Sequence, residues 1–167
     1  MTSTPLILTL TLDPPAQEYF DALRDEHFPK HCNYLKAHLT LFHHLPSDDE
    51  LIGKTVEKFC SRPAMILGVS AIKNIGNGVA YEILSDELLQ LHHRLQREFD
   101  PHLISQDRKK LWPHITVQNK VTAFKAKQTA GKLQGNFMSF NITATGIRSW
   151  LYRGGPWEAK GEWKFRL

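Results

Sequence analysis

His114-Ile115-Thr116-Val117 is a near copy of His38-Leu39-Thr40-Leu41, and this pairing decides how the rest of the chain is read. Each copy is His-x-Thr-apolar. In a β-strand successive side chains point to opposite faces. The His and Thr of each copy therefore share one face, over the aliphatic pairs Leu39/Leu41 and Ile115/Val117. Two imidazoles and two hydroxyls presented together make these stretches the candidate active site.

Working outward, residues 6–12 alternate as a strand. Asp13 offers an N-cap and Pro14 a first helical position for a helix over 14–28. Pro29 starts an irregular approach, 29–37, to the first motif strand. Ser47-Asp48-Asp49-Glu50 matches a capping box, and Ile52, Val56 and Phe59 follow at helical spacing, so a helix is expected over 48–60. Strands are expected over 64–75 and 79–84, joined at Gly76-Asn77-Gly78 as a hairpin. Ser85 caps a helix whose stripe is Leu88, Leu91, Leu95 and Phe99, closed by Pro101. A polar stretch, Ser105 to Lys110, leads through Trp112-Pro113 to the second motif strand. A weaker helix over 122–134 follows. Strands are expected over 137–145, 147–152 and 158–166, the last two joined by Gly154-Gly155-Pro156.

Each half thus runs helix, irregular approach, His-x-Thr strand, second helix, long strand. The repeat is one of architecture, since identity outside the motifs is low. It predicts a single domain over residues 1–167 built of two similar lobes. They should face each other across a pseudo-two-fold axis, with one motif on each and a shared groove between.

The bulk numbers suit such a domain: 167 residues, 41% hydrophobic, 23% charged, net charge +4. No apolar run approaches a membrane span of ~20 residues, and the first residues alternate as a strand rather than forming a signal peptide. Cys32 and Cys60 are too few for a disulfide framework and form no Cys-x-x-Cys pair. Reduced thiols and a cytoplasmic location are expected. The mild positive charge is compatible with a phosphorylated substrate and does not demand one. No His/Cys/Asp set has zinc spacing, and no glycine-rich phosphate loop is present, so neither metal nor cofactor is expected.

Histidine titrates nearest physiological pH. One imidazole can act as general base and a second, protonated, as general acid. Two opposed imidazoles suit in-line displacement at phosphorus. Fixed hydroxyl donors, here Thr40 and Thr116, suit the charge that builds on the non-bridging oxygens.

The motifs, within Lys36-Ala37-His38-Leu39-Thr40-Leu41-Phe42-His43-His44-Leu45-Pro46 and Trp112-Pro113-His114-Ile115-Thr116-Val117, resemble those of the 2H (two-histidine) phosphoesterase superfamily. The bacterial 2'-5' RNA ligase-like branch is the nearest. The resemblance covers the whole chain in motif spacing and element order. It implies a bilobal α+β fold, with two antiparallel sheets around a central cleft and helices outside. It also implies metal-independent chemistry on 2',3'-cyclic phosphates or 2'-5' linkages of RNA or nucleotides. His38 and His114 match the acid/base pair, and Thr40 and Thr116 the phosphate binders. Gln118-Asn119-Lys120 is more polar than the pattern after the second motif.

Strand parity adds Phe42, on the face of His38 and Thr40. It also adds Gln118 and Trp112, on the face of His114 and Thr116. A ring at Phe42 or Trp112 could stack on a base, worth roughly 1–3 kcal/mol. Near the C-terminus Arg148, Trp150, Tyr152 and Arg153 suit a nucleotide phosphate and base, whereas Trp157 reads as edge-hairpin packing. Of His43-His44, at most one joins the cleft, and His92-His93 read as a solvated pair. The expected partner is an RNA end or small nucleotide carrying a cyclic or 2'-5' phosphate, and the expected state a monomer. Two other readings remain open: an RNA-binding module of this fold without turnover, and a cyclic phosphodiesterase for a small metabolite such as an ADP-ribose cyclic phosphate.

Overall fold

The computed structural model describes residues 3–167. In chain order the elements are β1 (Pro5–Leu12), α1 (Pro14–His27), β2 (Leu39–Pro46), α2 (Glu50–Phe59) and β3 (Met65–Asn74), then β4 (Val79–Leu84), α3 (Asp86–Phe99), β5 (His114–Gln118), α4 (Ala123–Gln134) and β6 (Phe140–Leu151), and finally β7 (Glu158–Lys164). The first five repeat as the second five: β-α-β-α-β twice over, with β7 added.

The strands pair antiparallel in the order β2-β1-β6-β3-β4-β5, and β7 pairs with β6. Exchanging β1 with β4, β2 with β5 and β3 with β6 reverses this order and leaves it unchanged. That is the pseudo-two-fold relation expected from the motif repeat. It makes the two motif strands, β2 and β5, equivalent outer strands of the two lobes, and they approach one another. β6 serves both lobes. Its Phe140–Ala144 stretch pairs with β3, while Ala144–Leu151 pairs with β1. β7 lies along Gly146 to Leu151 on the edge that β3 has left.

The expectation of two strands over 137–152 is therefore corrected to one, which runs through Gly146. A glycine is required there because a Cβ would sit 2.3 Å from the Trp163 carbonyl oxygen. Gly78 answers a similar need: its Cβ would lie 1.9 Å from the Gln118 carbonyl oxygen. β4 and β5 can close only over a residue without a side chain.

The helix starts follow local capping chemistry. Asp13 accepts from Ala16 N–H at 3.0 Å and, through its second oxygen, from Thr143 N–H at 2.7 Å. One carboxylate thus starts α1 and braces β6. Ser85 and Thr122 cap α3 and α4. α2 is capped by Asp49, which accepts from Leu51 N–H at 2.9 Å, and not by Ser47 as the capping-box pattern suggests. The Ser47 carbonyl instead accepts from the Lys160 ammonium.

Each lobe's first helix covers the other lobe. α1 lays Phe20 edge-on against Tyr81 of β4, at 5.3 Å between ring centroids. α3 lays Phe99 edge-on against Phe42 of β2, also at 5.3 Å. The lobes consequently share one continuous apolar core, running from Leu8 and Leu39 to Ile83 and Ile115. Among the described residues no helix is long and apolar enough to cross a membrane. Cys32 and Cys60 are both free thiols. Burial pushes the Cys60 thiol up to about 11, which leaves it unreactive near neutral pH.

Candidate active site

His38 and His114 line one cleft of about 330 Å³, together with Thr40 and Thr116. Their surroundings match. His38 Nδ1 lies 2.7 Å from the Lys36 carbonyl oxygen, and His114 Nδ1 lies 2.7 Å from that of Trp112. A carbonyl oxygen only accepts, so each Nδ1 carries the proton and donates it. The bond fixes ring and tautomer together, leaving Nε2 of each neutral ring with a lone pair. An indole rests on each ring as well. Trp112 stacks on His114 at 4.1 Å and 17°, and its Nε1–H donates to Glu82 at 2.9 Å. Trp157 lies 4.6 Å from His38, tilted by 54°.

This enclosure sets the electrostatics. Burial pushes His38 down to about 4, against the raising effect of the Lys36 carbonyl; the nearby basic groups Arg24, His114 and His43 add to the lowering. Burial also lowers His114, opposed by its bond to Trp112 and helped by His43. Both imidazoles are neutral near pH 7. An entering phosphate brings negative charge, which favours protonation of one of them.

Stability follows the same shifts. Folded, His38, His92, His114 and His27 bind their protons less tightly than the ordinary imidazole does. The unfolded chain therefore takes up more protons as the pH falls. This contribution is fully present above about pH 6.5 and is lost as the pH drops towards the His38 value of about 4. The urea midpoint should be lower at about pH 5 than at about pH 7, and His38→Gln should narrow the gap. An unchanged gap in His38→Gln would remove His38 from the account.

Backbone bulges decide which further side chains reach the cleft. β1 advances one residue, Thr9 to Leu8, while β2 advances two, Thr40 to Phe42. β4 advances one, Ala80 to Val79, while β5 advances two, Thr116 to Gln118. Leu41 and Val117 are the extra residues, directly after the threonine in each motif. A bulge resets the alternation of faces. Phe42 and Gln118, which parity assigned to the cleft, are turned inward and fully buried. Phe42 stacks on His92 at 4.7 Å and 17°. Gln118 donates to Thr129 Oγ1 at 2.8 Å.

His92 is accordingly buried rather than solvated, and its Nε2–H donates to the carbonyl of the bulge residue Leu41 at 3.0 Å. His43, displaced to the opposite face, joins the cleft. Trp112 stands where parity placed it.

A second cavity, of about 440 Å³, adjoins the first across His38 and Trp157. Arg148 and Trp150 line it with Lys36 and Tyr34. Trp150 Nε1–H donates to Thr9 at 2.9 Å, and the Arg148 guanidinium lies 3.4 Å from Glu162. Tyr152 and Arg153 lie outside both cavities. Arg153 pairs with Glu158 at 2.9 Å on the surface, beyond the end of β6. Trp157 is not mere hairpin packing, because the turn at Gly154, with φ +91°, brings it back onto His38.

Arg24 is the buried cation that sequence reading missed. Its Nη1 donates to the Thr116 carbonyl at 3.2 Å and its Nε to Asn33 at 3.2 Å. It ties α1 to the second motif strand. Among the described residues no group of three or more His, Cys, Asp or Glu side chains is arranged to hold a metal ion.

The profile of the 2'-5' RNA ligase superfamily matches residues 12–156. The chain belongs to that superfamily. Its fold is similar to that of Escherichia coli LigT complexed with 3'-AMP, at TM-score 0.61, with 16% identity over 98% of this chain and 99% of that one. TT0787 of Thermus thermophilus is similar at TM-score 0.61, with 15% identity over 97% of this chain and 98% of that one. Among curated protein sequences no relative matches. At these identities the shared property is the fold. The superfamily places the chain among phosphoesterases and 2'-5' RNA ligases.

Proposed function

We propose that this member of the 2'-5' RNA ligase superfamily is a metal-independent phosphodiesterase. Its substrates are 2',3'-cyclic phosphates or 2'-5' linkages of RNA or small nucleotides. The observation that carries the reading is the matched pair of imidazoles, each held through Nδ1 by the carbonyl two residues before it, on one cleft. In this reading one Nε2 takes the proton of the attacking water or hydroxyl. The other imidazole, protonated once the phosphate is bound, gives its proton to the leaving oxygen. Thr40 and Thr116 donate to the non-bridging oxygens. The neighbouring cavity, with Trp150, Trp157 and Arg148, receives the nucleoside. Solved structures of E. coli LigT with 3'-AMP, ATP and NADP+ support a nucleotide ligand. The chain needs no cofactor and no membrane in this account, and works as a monomer in the cytoplasm.

A panel of 2',3'-cyclic nucleotides, an ADP-ribose cyclic phosphate, and 2'-5' and 3'-5' dinucleotides, assayed in EDTA, tests the reading. Conversion of at least one cyclic or 2'-5' member, undiminished by chelator, is expected. Binding without conversion across the panel points to a non-catalytic module, and loss of turnover in EDTA to a metal site.

A further inference from the structure

We propose that His43, positioned by Asp107, contacts the substrate as a third imidazole of the cleft and donates from Nε2–H to a phosphoryl oxygen. The inference rests on the phosphodiester reading of the cleft and adds a binding group that the paired motif does not contain.

Asp107 sits in the short 3-10 turn Gln106–Arg108 with its side chain 1% exposed. It accepts the backbone N–H groups of His43, at 2.9 and 3.0 Å, and of His44, at 3.0 Å. A second extra residue in β2, between Phe42 and Leu45, lets two consecutive amides meet one carboxylate. The same carboxylate lies 3.0 Å from His43 Nδ1. A carboxylate only accepts, so Nδ1 carries a proton and Nε2 is the ring's free nitrogen. The His43 side chain is 46% exposed, on the wall shared with His38 and His114. A histidine kept for packing would be enclosed, as His92 is.

The charge balance explains the buried carboxylate. With Nδ1–H committed to Asp107, a neutral His43 would present a lone pair to an anion. Protonated, it presents N–H. The groups facing it are Asp107 from the 3-10 turn, His38 just before β2, His114 from β5, His92 from α3, and Lys109 and Lys110 from the loop before β5. Asp107 is the anion among them, and an incoming phosphate adds a second negative group. Burial alone would raise the Asp107 carboxyl; the His43 ring and the two amides outweigh burial and hold it below the usual carboxylate range. Asp107 is therefore an anion throughout, and the His43 ring links it to the cleft.

Dimethyl phosphate is a suitable probe, because its charge is constant between about pH 5 and 8 and it is not turned over. Parent affinity should rise as the pH falls across this range, where imidazole titrates. His43→Gln should bind about 10- to 100-fold more weakly at the low end, the loss of one charge-assisted hydrogen bond, while the pH dependence contributed by His38 and His114 remains. Asp107→Asn should move the midpoint to lower pH while keeping tight binding below it, which a purely structural role would not do. In the parent, the His43 ring nitrogens should shift in NMR spectra on adding the probe, a measurement that needs no variant. Unmoved His43 signals, or parent affinity at every pH in His43→Gln, would overturn the proposal. Probe binding that depends on His43 in a protein inactive on the whole nucleotide panel would leave this inference standing while the phosphodiesterase reading fails.

Discussion

Alanine at His38 or at His114 should lower turnover of a 2',3'-cyclic phosphate by about 10²–10⁴, the usual cost of losing a general acid or base. The two losses should be of similar size because the sites are built alike. Each ring is held through Nδ1 at 2.7 Å, carries an indole and precedes a threonine by two positions. The double variant should be little slower than either single one, since acid and base act as a unit. Thermal melts accompany the kinetics. Both rings are half-buried and neither belongs to the apolar core, so the fold should survive the change. Turnover within a few-fold of the parent in both single variants would contradict the assignment.

Phe42→Ala should destabilise the fold by about 3–5 kcal/mol, the cost of a buried ring and the cavity it leaves. For a chain of this length the melting temperature would fall by roughly 6–20 °C. Phe42 is fully buried, stacked on His92 and edge-on to Phe99. Had strand alternation run unbroken, Phe42 would stand in the cleft. Its loss would then raise KM and spare stability. Calorimetry with steady-state kinetics on one preparation separates the two, and an unchanged melting temperature with raised KM would place the ring in the cleft after all.

The contrast shows what the sequence encodes locally and what it does not. The paired motif, the caps at Asp13, Ser85 and Thr122, and the hairpin at Gly76 to Gly78 are short-range features, and all were legible. The repeated element order was enough to foresee a two-fold arrangement with one motif on each lobe. The bulges at Leu41 and Val117 were not legible, because register belongs to a pair of strands and not to one. Phe42 and Gln118 were misplaced for that single reason, and which of His43 and His44 joins the cleft was left open with them. His43 also depends on Asp107, 64 residues away, a contact no local pattern announces. Trp157 follows a turn, where strand parity gives no direction. The strands expected over 137–145 and 147–152 are one because Gly146 between them lets β7 approach closely.

The pH dependence of kcat/KM on a 2',3'-cyclic nucleotide, in EDTA, for the parent and both alanine variants tests the central claim most directly. Two imidazoles working in opposite protonation states give a bell in the parent. Its limbs are properties of the coupled pair. His38→Ala should abolish one limb and His114→Ala the other. A single-limbed parent profile, or a bell that persists intact in both variants, would contradict the shared-cleft acid/base pair.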